Sequence, residues 1–260
     1  MLKAVAFDLW ETLITDTPEL SRQQERLRLD RMEATLVARG HDADAQRIEE
    51  AYRKLWRRCH DLYWSHDVDV PCRRQIEHFL EALALDAQSF SEETLADLEE
   101  AYANAAVEIP PAVVDDAPAV VRSLKSRGLR VGLISNTGRT PGYALRAILA
   151  GLGFDAIDAM IFSNEHGACK PERSIFEELR DALGVAFDEI AFVGDNLYAD
   201  VHGAQRCGMV AVHFDPPTRG TAVAPPVAHD LTIVPDATIH ALRELPDALE
   251  PYCSRTRAKA

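Results

Sequence analysis

Residues 3 to 9 read as a continuous apolar run that ends in an acid, the pattern of a buried parallel strand delivering a side chain at its carboxyl end. Asp8 is therefore expected at a strand tip. From Pro18 to about Ile109 the periodicity becomes helical, with stretches at 18–39, 44–65, 71–85 and 91–107. They are broken by Gly40, by the stretch from Asp67 to Asp69, and by Ser89-Phe90-Ser91. No strand is expected in that block. After Pro110-Pro111 helix and strand alternate: a helix near 117–127, a strand at 129–135, then a helix entered through Thr140 as cap with Pro141 in its first turn. Three more apolar runs follow at 159–163, 190–194 and 209–214, each separated from the next by a helical segment. A late strand at 231–234 and a short helix to about Leu249 complete the ordered chain, and the basic tail with Arg255, Arg257 and Lys259 is expected to be disordered.

Joined together, these pieces make a protein of the α/β class. Its core comprises residues 1–14 and 110–250, an all-helical segment at 15–109 is inserted directly after the first strand, and 251–260 forms a tail. Ligands of open parallel sheets bind beyond the carboxyl ends of the strands, near the switch in strand order. An insert leaving from that edge hangs over the site as a lid.

Charge narrows the partners. With 28 Lys+Arg against 42 Asp+Glu the formal charge is -14, which repels phosphate backbones and anionic lipid, so neither nucleic acid nor membrane is expected as a partner. Asp8 interrupts the amino terminus before a signal-like run develops, and nowhere do ~18 apolar residues follow one another, so the expected location is cytoplasmic. Cys59, Cys72, Cys169, Cys207 and Cys253 lie far apart with no Cys-x-x-Cys pair, which points to buried thiols rather than disulfides or a zinc site.

Four short segments fall at strand ends: Phe7-Asp8-Leu9-Trp10-Glu11-Thr12-Leu13, Leu133-Ile134-Ser135-Asn136-Thr137-Gly138, Cys169-Lys170-Pro171-Glu172, and Phe192-Val193-Gly194-Asp195-Asn196-Leu197-Tyr198-Ala199-Asp200. In these the chain resembles the haloacid dehalogenase superfamily. The first looks like its nucleophile loop, the second its Ser/Thr motif, the third its lysine motif and the fourth its acidic Gly-Asp-x-x-x-x-Asp motif. Any one would be weak, but all four stand in order across the whole core. The resemblance implies a Rossmann-like parallel sheet with the helical block as a C1-type cap.

The residue chemistry agrees with this reading. A carboxylate nucleophile at Asp8 splits a difficult displacement into two easier steps through a covalent intermediate. Ser135 and Asn136 lie where a hydroxyl and backbone amides could bind phosphoryl or carboxylate oxygens, although Ser-Asn-Thr-Gly alone is an ordinary turn sequence. Lys170 precedes a proline, which favours an extended backbone there and lets the ammonium reach inward to balance nucleophile and substrate. Asp195 and Asp200 with Asp8 would gather three carboxylates, a cluster that opposes its own ionisation unless a cation is present. Mg²⁺, a hard ion that takes oxygen ligands, fits such a site. The resemblance implies Asp8, the backbone carbonyl of Trp10 and Asp195 as its ligands, with Asp200 assisting.

One position departs from the phosphatase pattern. Two residues after the nucleophile, phosphatases of the superfamily carry an Asp that protonates the leaving group; this chain has Trp10, which cannot. The superfamily's haloacid dehalogenases also place an aromatic residue there, and a departing halide needs no proton. Their acidic motif is not built for Mg²⁺, whereas here it is intact. Glu11 stands where the superfamily usually has Gly, and on an extended segment it would point away from the acid position.

The helical block also carries the most basic stretch of the chain: Arg53, Lys54, Arg57, Arg58, His60, Trp64, His66, Arg73, Arg74 and His78. It reads either as a solvated face or as a lid whose cations select an anionic substrate, with Trp64 and His66 facing the core. The leading expectation is a Mg²⁺-dependent phosphatase acting on a small phosphorylated metabolite through an aspartyl phosphate, as a monomer or homodimer. The alternatives are a 2-haloacid dehalogenase forming an ester at Asp8, and a catalytically weak member that binds a ligand or serves as a scaffold.

Overall fold

The computed structural model describes residues 1–41, 44–218 and 232–253. In chain order the elements are β1 (Ala4–Phe7), β2 (Ile14–Thr15), α1 (Pro18–Ala38), α2 (Ala45–Leu62), α3 (Cys72–Ala82), α4 (Glu92–Ala103), α5 (Ala105–Glu108), β3 (Ala112–Val113), α6 (Ala117–Ser126) and β4 (Arg130–Ser135). They continue as α7 (Gly142–Gly151), β5 (Ala159–Phe162), α8 (Ser163–His166), α9 (Arg173–Leu183), β6 (Ile190–Gly194), α10 (Gly203–Cys207), β7 (Val210–Phe214), β8 (Ala237–Ile239) and α11 (Leu245–Cys253).

Six strands form one parallel sheet in the order β5-β4-β1-β6-β7-β8. The fold is α/β and Rossmann-like, as the alternation of segments predicts. Side chains alternate across each strand, so the sheet needs cover on both faces. Val5 and Phe7 of β1 pack with Val121 and Leu124 of α6, Leu145 and Leu149 of α7, and Leu245 and Leu249 of α11. Ala4 and Ala6 face the other way, toward Ile175, Phe176 and Leu179 of α9 and Ala204 of α10. The chain builds β4 and β5 on one side of β1 and then crosses to β6 on the other, which makes the carboxyl end of β1 the switch point.

Helices α1 to α5 lie between β2 and β3, two short antiparallel strands in which Ile14 is opposite Val113 and Thr15 opposite Ala112. The pairing brings exit and return of the helical segment together. Thr17, Asp44 and Ser91 cap α1, α2 and α4, each accepting a backbone N–H three residues on. The segment buries its own apolar cluster, including Met32, Leu36, Ile48, Leu55, Ile76, Phe79 and Leu98. Within it Arg28 donates to the Tyr102 carbonyl at 2.6 Å and to the Tyr52 hydroxyl at 3.0 Å, so the buried cation is satisfied by neutral acceptors.

Three sequence expectations need correction. Residues 232–234 are not strand, and Leu231 lies outside the described residues; the last strand is Ala237–Ile239. Pro235 has no N–H for a ladder, and Asp236 clamps Ala211 from both sides, donating its own N–H to the Ala211 carbonyl and accepting the Ala211 N–H on its carboxylate, each at 2.9 Å. Pairing starts after that clamp. Thr140 does not cap α7: the cap position is Pro141, and the carboxamide oxygen of Asn164 accepts the Gly142 N–H at 3.1 Å instead. Of the tail expected to be disordered at 251–260, residues 251–253 continue α11 as helix, and 254–260 lie outside the described residues.

Candidate active site

Asp8 follows β1 directly and is buried, its own N–H bonded to the Val193 carbonyl of the neighbouring strand at 2.8 Å. Lys170 reaches it from the loop after α8: Nζ lies 2.5 Å from Asp8 Oδ1, 2.7 Å from Asp200 Oδ1 and 3.1 Å from the Ile134 carbonyl. The Lys170-Pro171 peptide is cis. Burial pushes the Asp8 carboxyl up to about 6; Lys170 pulls it back down and Asp200 adds to the rise. Burial also works against the Lys170 ammonium, but Asp200 and Asp8 outweigh it and raise its pKa to about 12.

Asp195 and Asp200 come from the segment after β6. Asp8, Asp195 and Asp200 each present a carboxylate oxygen, and the three lie within 4.8 Å of one another. Asp200 is held in place by the Asn196 N–H, which donates to its Oδ2 at 3.0 Å. A Cβ on Gly194 would stand 2.3 Å from that same oxygen, so only glycine lets the Asp200 carboxylate come this close. A ring nitrogen of His213 lies 3.1 Å from the Asp195 carbonyl oxygen. Three acids against one ammonium leave a net negative pocket, and its donor set of carboxylate oxygens fits a hard divalent cation.

Ser135 closes β4 beside this cluster. Its hydroxyl is buried and has no hydrogen-bond partner among the described residues. A buried unsatisfied hydroxyl is costly, and a ligand oxygen is one way to satisfy it. Asn136 also has a role within the protein: its carboxamide donates to the Lys170 carbonyl at 3.0 Å and accepts the Lys170 N–H at 2.8 Å. These two bonds tie the end of β4 to the lysine loop.

Trp10 is half-buried and packs against the core cluster that contains Phe7 and Leu9. Glu11 lies in the left-handed region at φ 59°, which explains why glycine suits this position, and both its carboxylate oxygens lie 2.9 Å from the Thr15 hydroxyl that donates to them. The indole of Trp10 has no group that can act as a general acid, and the Glu11 carboxylate is engaged by Thr15. The basic stretch is largely neutralised by its own acids, with Arg53 paired to Glu49, Arg58 to Glu81, Arg73 to Glu92 and Glu99, and Arg74 to Glu77. His78 is buried against Tyr63 and Glu81.

The profile described as haloacid dehalogenase-like hydrolase matches residues 2–208, a span that contains all four strand-end segments. The chain belongs to the haloacid dehalogenase-like hydrolases. Similar curated members of this superfamily include a glyceraldehyde 3-phosphate phosphatase of Pyrococcus abyssi, 28% identical over 82% of each chain. A 5-amino-6-(5-phospho-D-ribitylamino)uracil phosphatase of Escherichia coli is 30% identical over 83% of this chain and 84% of its own. The 2-haloacid dehalogenase of Pseudomonas syringae pv. tomato shares the fold at TM-score 0.68 and 23% identity, covering 97% of this chain and 100% of its own.

Two further sets of residues beside this site were not singled out from the sequence. Thr12, which stands within the first quoted segment, donates to Asp8 Oδ2 at 3.3 Å. Asp69, Thr137 and Ser163 form a buried hydrogen-bonded group next to the Ser135 and Lys170 loops. Asp69 reads in sequence as part of a helix break.

Proposed function

We propose that this hydrolase is a Mg²⁺-dependent phosphatase of small phosphorylated metabolites, working through a phosphoryl group carried on Asp8. The observation that carries the reading is the convergence of the Asp8, Asp195 and Asp200 carboxylates, with one ammonium, that of Lys170, paired to Asp8 and Asp200, which leaves an excess of negative charge that a divalent cation would offset. The phosphatase names of both curated relatives support it. Asp8, Asp195 and the Trp10 carbonyl would hold the ion, with Asp200 alongside, under a helical cap formed by residues 15–109. When bound, the ion offsets the charge of the phosphoryl oxygens.

The chain's own groups do the rest. An Asp8 carboxylate oxygen attacks phosphorus as the bond to the leaving-group oxygen breaks, giving an aspartyl phosphate. Water then attacks that phosphorus, phosphate departs and the carboxylate is restored. With its carboxyl near 6, Asp8 is ionised at neutral pH and ready to attack. Lys170 stays beside it to balance charge, and Thr12 holds the second oxygen in place. The Ser135 hydroxyl is free to donate to a phosphoryl oxygen.

A second reading rests on Trp10. With no acid at that position, the same nucleophile could displace halide from the C2 carbon of a 2-haloacid, and the ester would then be hydrolysed. A panel of phosphate esters, acyl phosphates and 2-haloacids, each assayed with Mg²⁺ and with EDTA, separates the two. Phosphate release that needs Mg²⁺ and disappears in Asp8→Asn supports the phosphatase; halide release that persists in EDTA overturns it.

A further inference from the structure

The loop between α2 and α3 holds a carboxylate that the reaction itself does not use. Asp69 is almost fully buried and accepts four hydrogen bonds. Its Oδ1 takes the Trp64 indole N–H and the Val70 N–H, each at 2.8 Å. Its Oδ2 takes the Ser163 hydroxyl at 2.5 Å and the Thr137 hydroxyl at 3.1 Å. Trp64 and Val70 belong to the helical segment, whereas Ser163 and Thr137 sit at the carboxyl ends of β5 and β4. Ser163 Oγ also accepts the Thr137 N–H at 2.9 Å, so the carboxylate gathers both strand ends.

A backbone strap runs beside this group. The Asp69 N–H donates to the Gly167 carbonyl at 3.1 Å, the Cys169 N–H to the Asp67 carbonyl at 2.8 Å, and Val68 is bridged antiparallel to Ala168. The next residue after Cys169 is Lys170. Thr137 stands two residues after Ser135, and Asn136 between them clamps the Lys170 backbone. Seating of the helical segment and placement of both loops are therefore joined through one side chain. Carboxylate acceptors make stronger hydrogen bonds than neutral ones, which suits a single anchor of this kind.

We infer that Asp69 is a positioning residue that latches the helical segment onto the core and, by doing so, sets Ser135 and Lys170 against Asp8. Its effect on turnover rests on the proposed phosphatase reading; its effect on seating does not.

The test uses Asp69→Asn in the full chain with two readouts. The first is iodoacetamide labelling of each cysteine, followed peptide by peptide. Cys169 is buried under the strap with its thiol on the Val68 carbonyl, while Cys207 in α10 and Cys59 in α2 report unfolding of the core and of the helical segment. Cys169 should label about tenfold faster or more, the equivalent of losing one charge-assisted hydrogen bond, with Cys207 and Cys59 unchanged. The second readout is turnover on the best phosphate ester, where kcat should fall about tenfold or more and KM stay within about threefold. Unchanged Cys169 labelling, labelling that rises in step at all three cysteines, or unchanged kcat overturns the inference. If Asp69→Asn does not fold, Ser163→Ala, which removes one core partner of the same carboxylate, is held to the same outcomes. A parent with no turnover on any ester ends the phosphatase reading and leaves labelling to decide the latch.

Discussion

The Lys170 ammonium stands 2.5 Å from the Asp8 carboxylate, and both groups are buried. A buried ion pair adds little net stability, because desolvation offsets attraction, but removing one partner strands the other. Here two acids, Asp8 and Asp200, would be stranded. Lys170→Met should therefore lower stability at pH 8 in EDTA by about 3 to 5 kcal/mol, measured by urea unfolding. Adding Mg²⁺ should recover part of it, since the ion replaces the missing charge. A loss under about 1 kcal/mol would mean that the acids find other compensation.

Asp8 makes stability depend on pH in a direction opposite to most carboxylates. Its folded-state pKa of about 6 lies above the ordinary 3.8, so the folded protein holds a proton that the unfolded chain has already released. Stability in EDTA should fall as pH rises through that window, by at most about 3 kcal/mol from this group. Asp8→Asn removes the dependence, so the variant should be more stable than the parent at pH 7.5 and nearly equal to it at pH 4. Parallel stability curves for parent and variant from pH 4 to 7.5 would refute the assignment.

On the proposed phosphatase reading, Trp10 should make leaving-group quality the main determinant of rate. General acid catalysis contributes roughly 10² to 10⁴-fold; Trp10 has no group to supply it, and Glu11 is held by Thr15. Acyl phosphates and nitrophenyl phosphate should react far faster than alkyl phosphates. The rate of phosphoryl transfer to Asp8 should depend steeply on leaving-group pKa, and less steeply in a folded Trp10→Asp variant. Equal slopes would show that another group already donates the proton.

The parts of this site that were legible in the sequence are those carried by a few adjacent residues. An apolar run ending in Asp8 announces a strand tip, and Lys170 before Pro171 and the pair Asp195 and Asp200 stand in recognisable local patterns. What was not legible depends on partners distant in sequence. The Asn136 carboxamide bonds the Lys170 backbone 34 residues away, and Ser163 meets Asp69 across 94. The last strand was placed too early because Leu231, Ile233 and Val234 are the more apolar run, yet the Asp236 clamp on Ala211 decides where pairing begins. Likewise Asn164, from the next βα unit, serves the helix start that Thr140 was expected to cap.

Capture of the covalent intermediate tests the central claim most directly. The protein is mixed with acetyl phosphate in Mg²⁺ or in EDTA, quenched, and reduced with borohydride, which converts an aspartyl phosphate to homoserine. Peptide mass spectrometry should find homoserine at position 8 in the Mg²⁺ sample, and neither in EDTA nor in Asp8→Asn. Homoserine formed equally in EDTA, formed at another aspartate, or absent while phosphate is still released would contradict Mg²⁺-dependent phosphoryl transfer to Asp8.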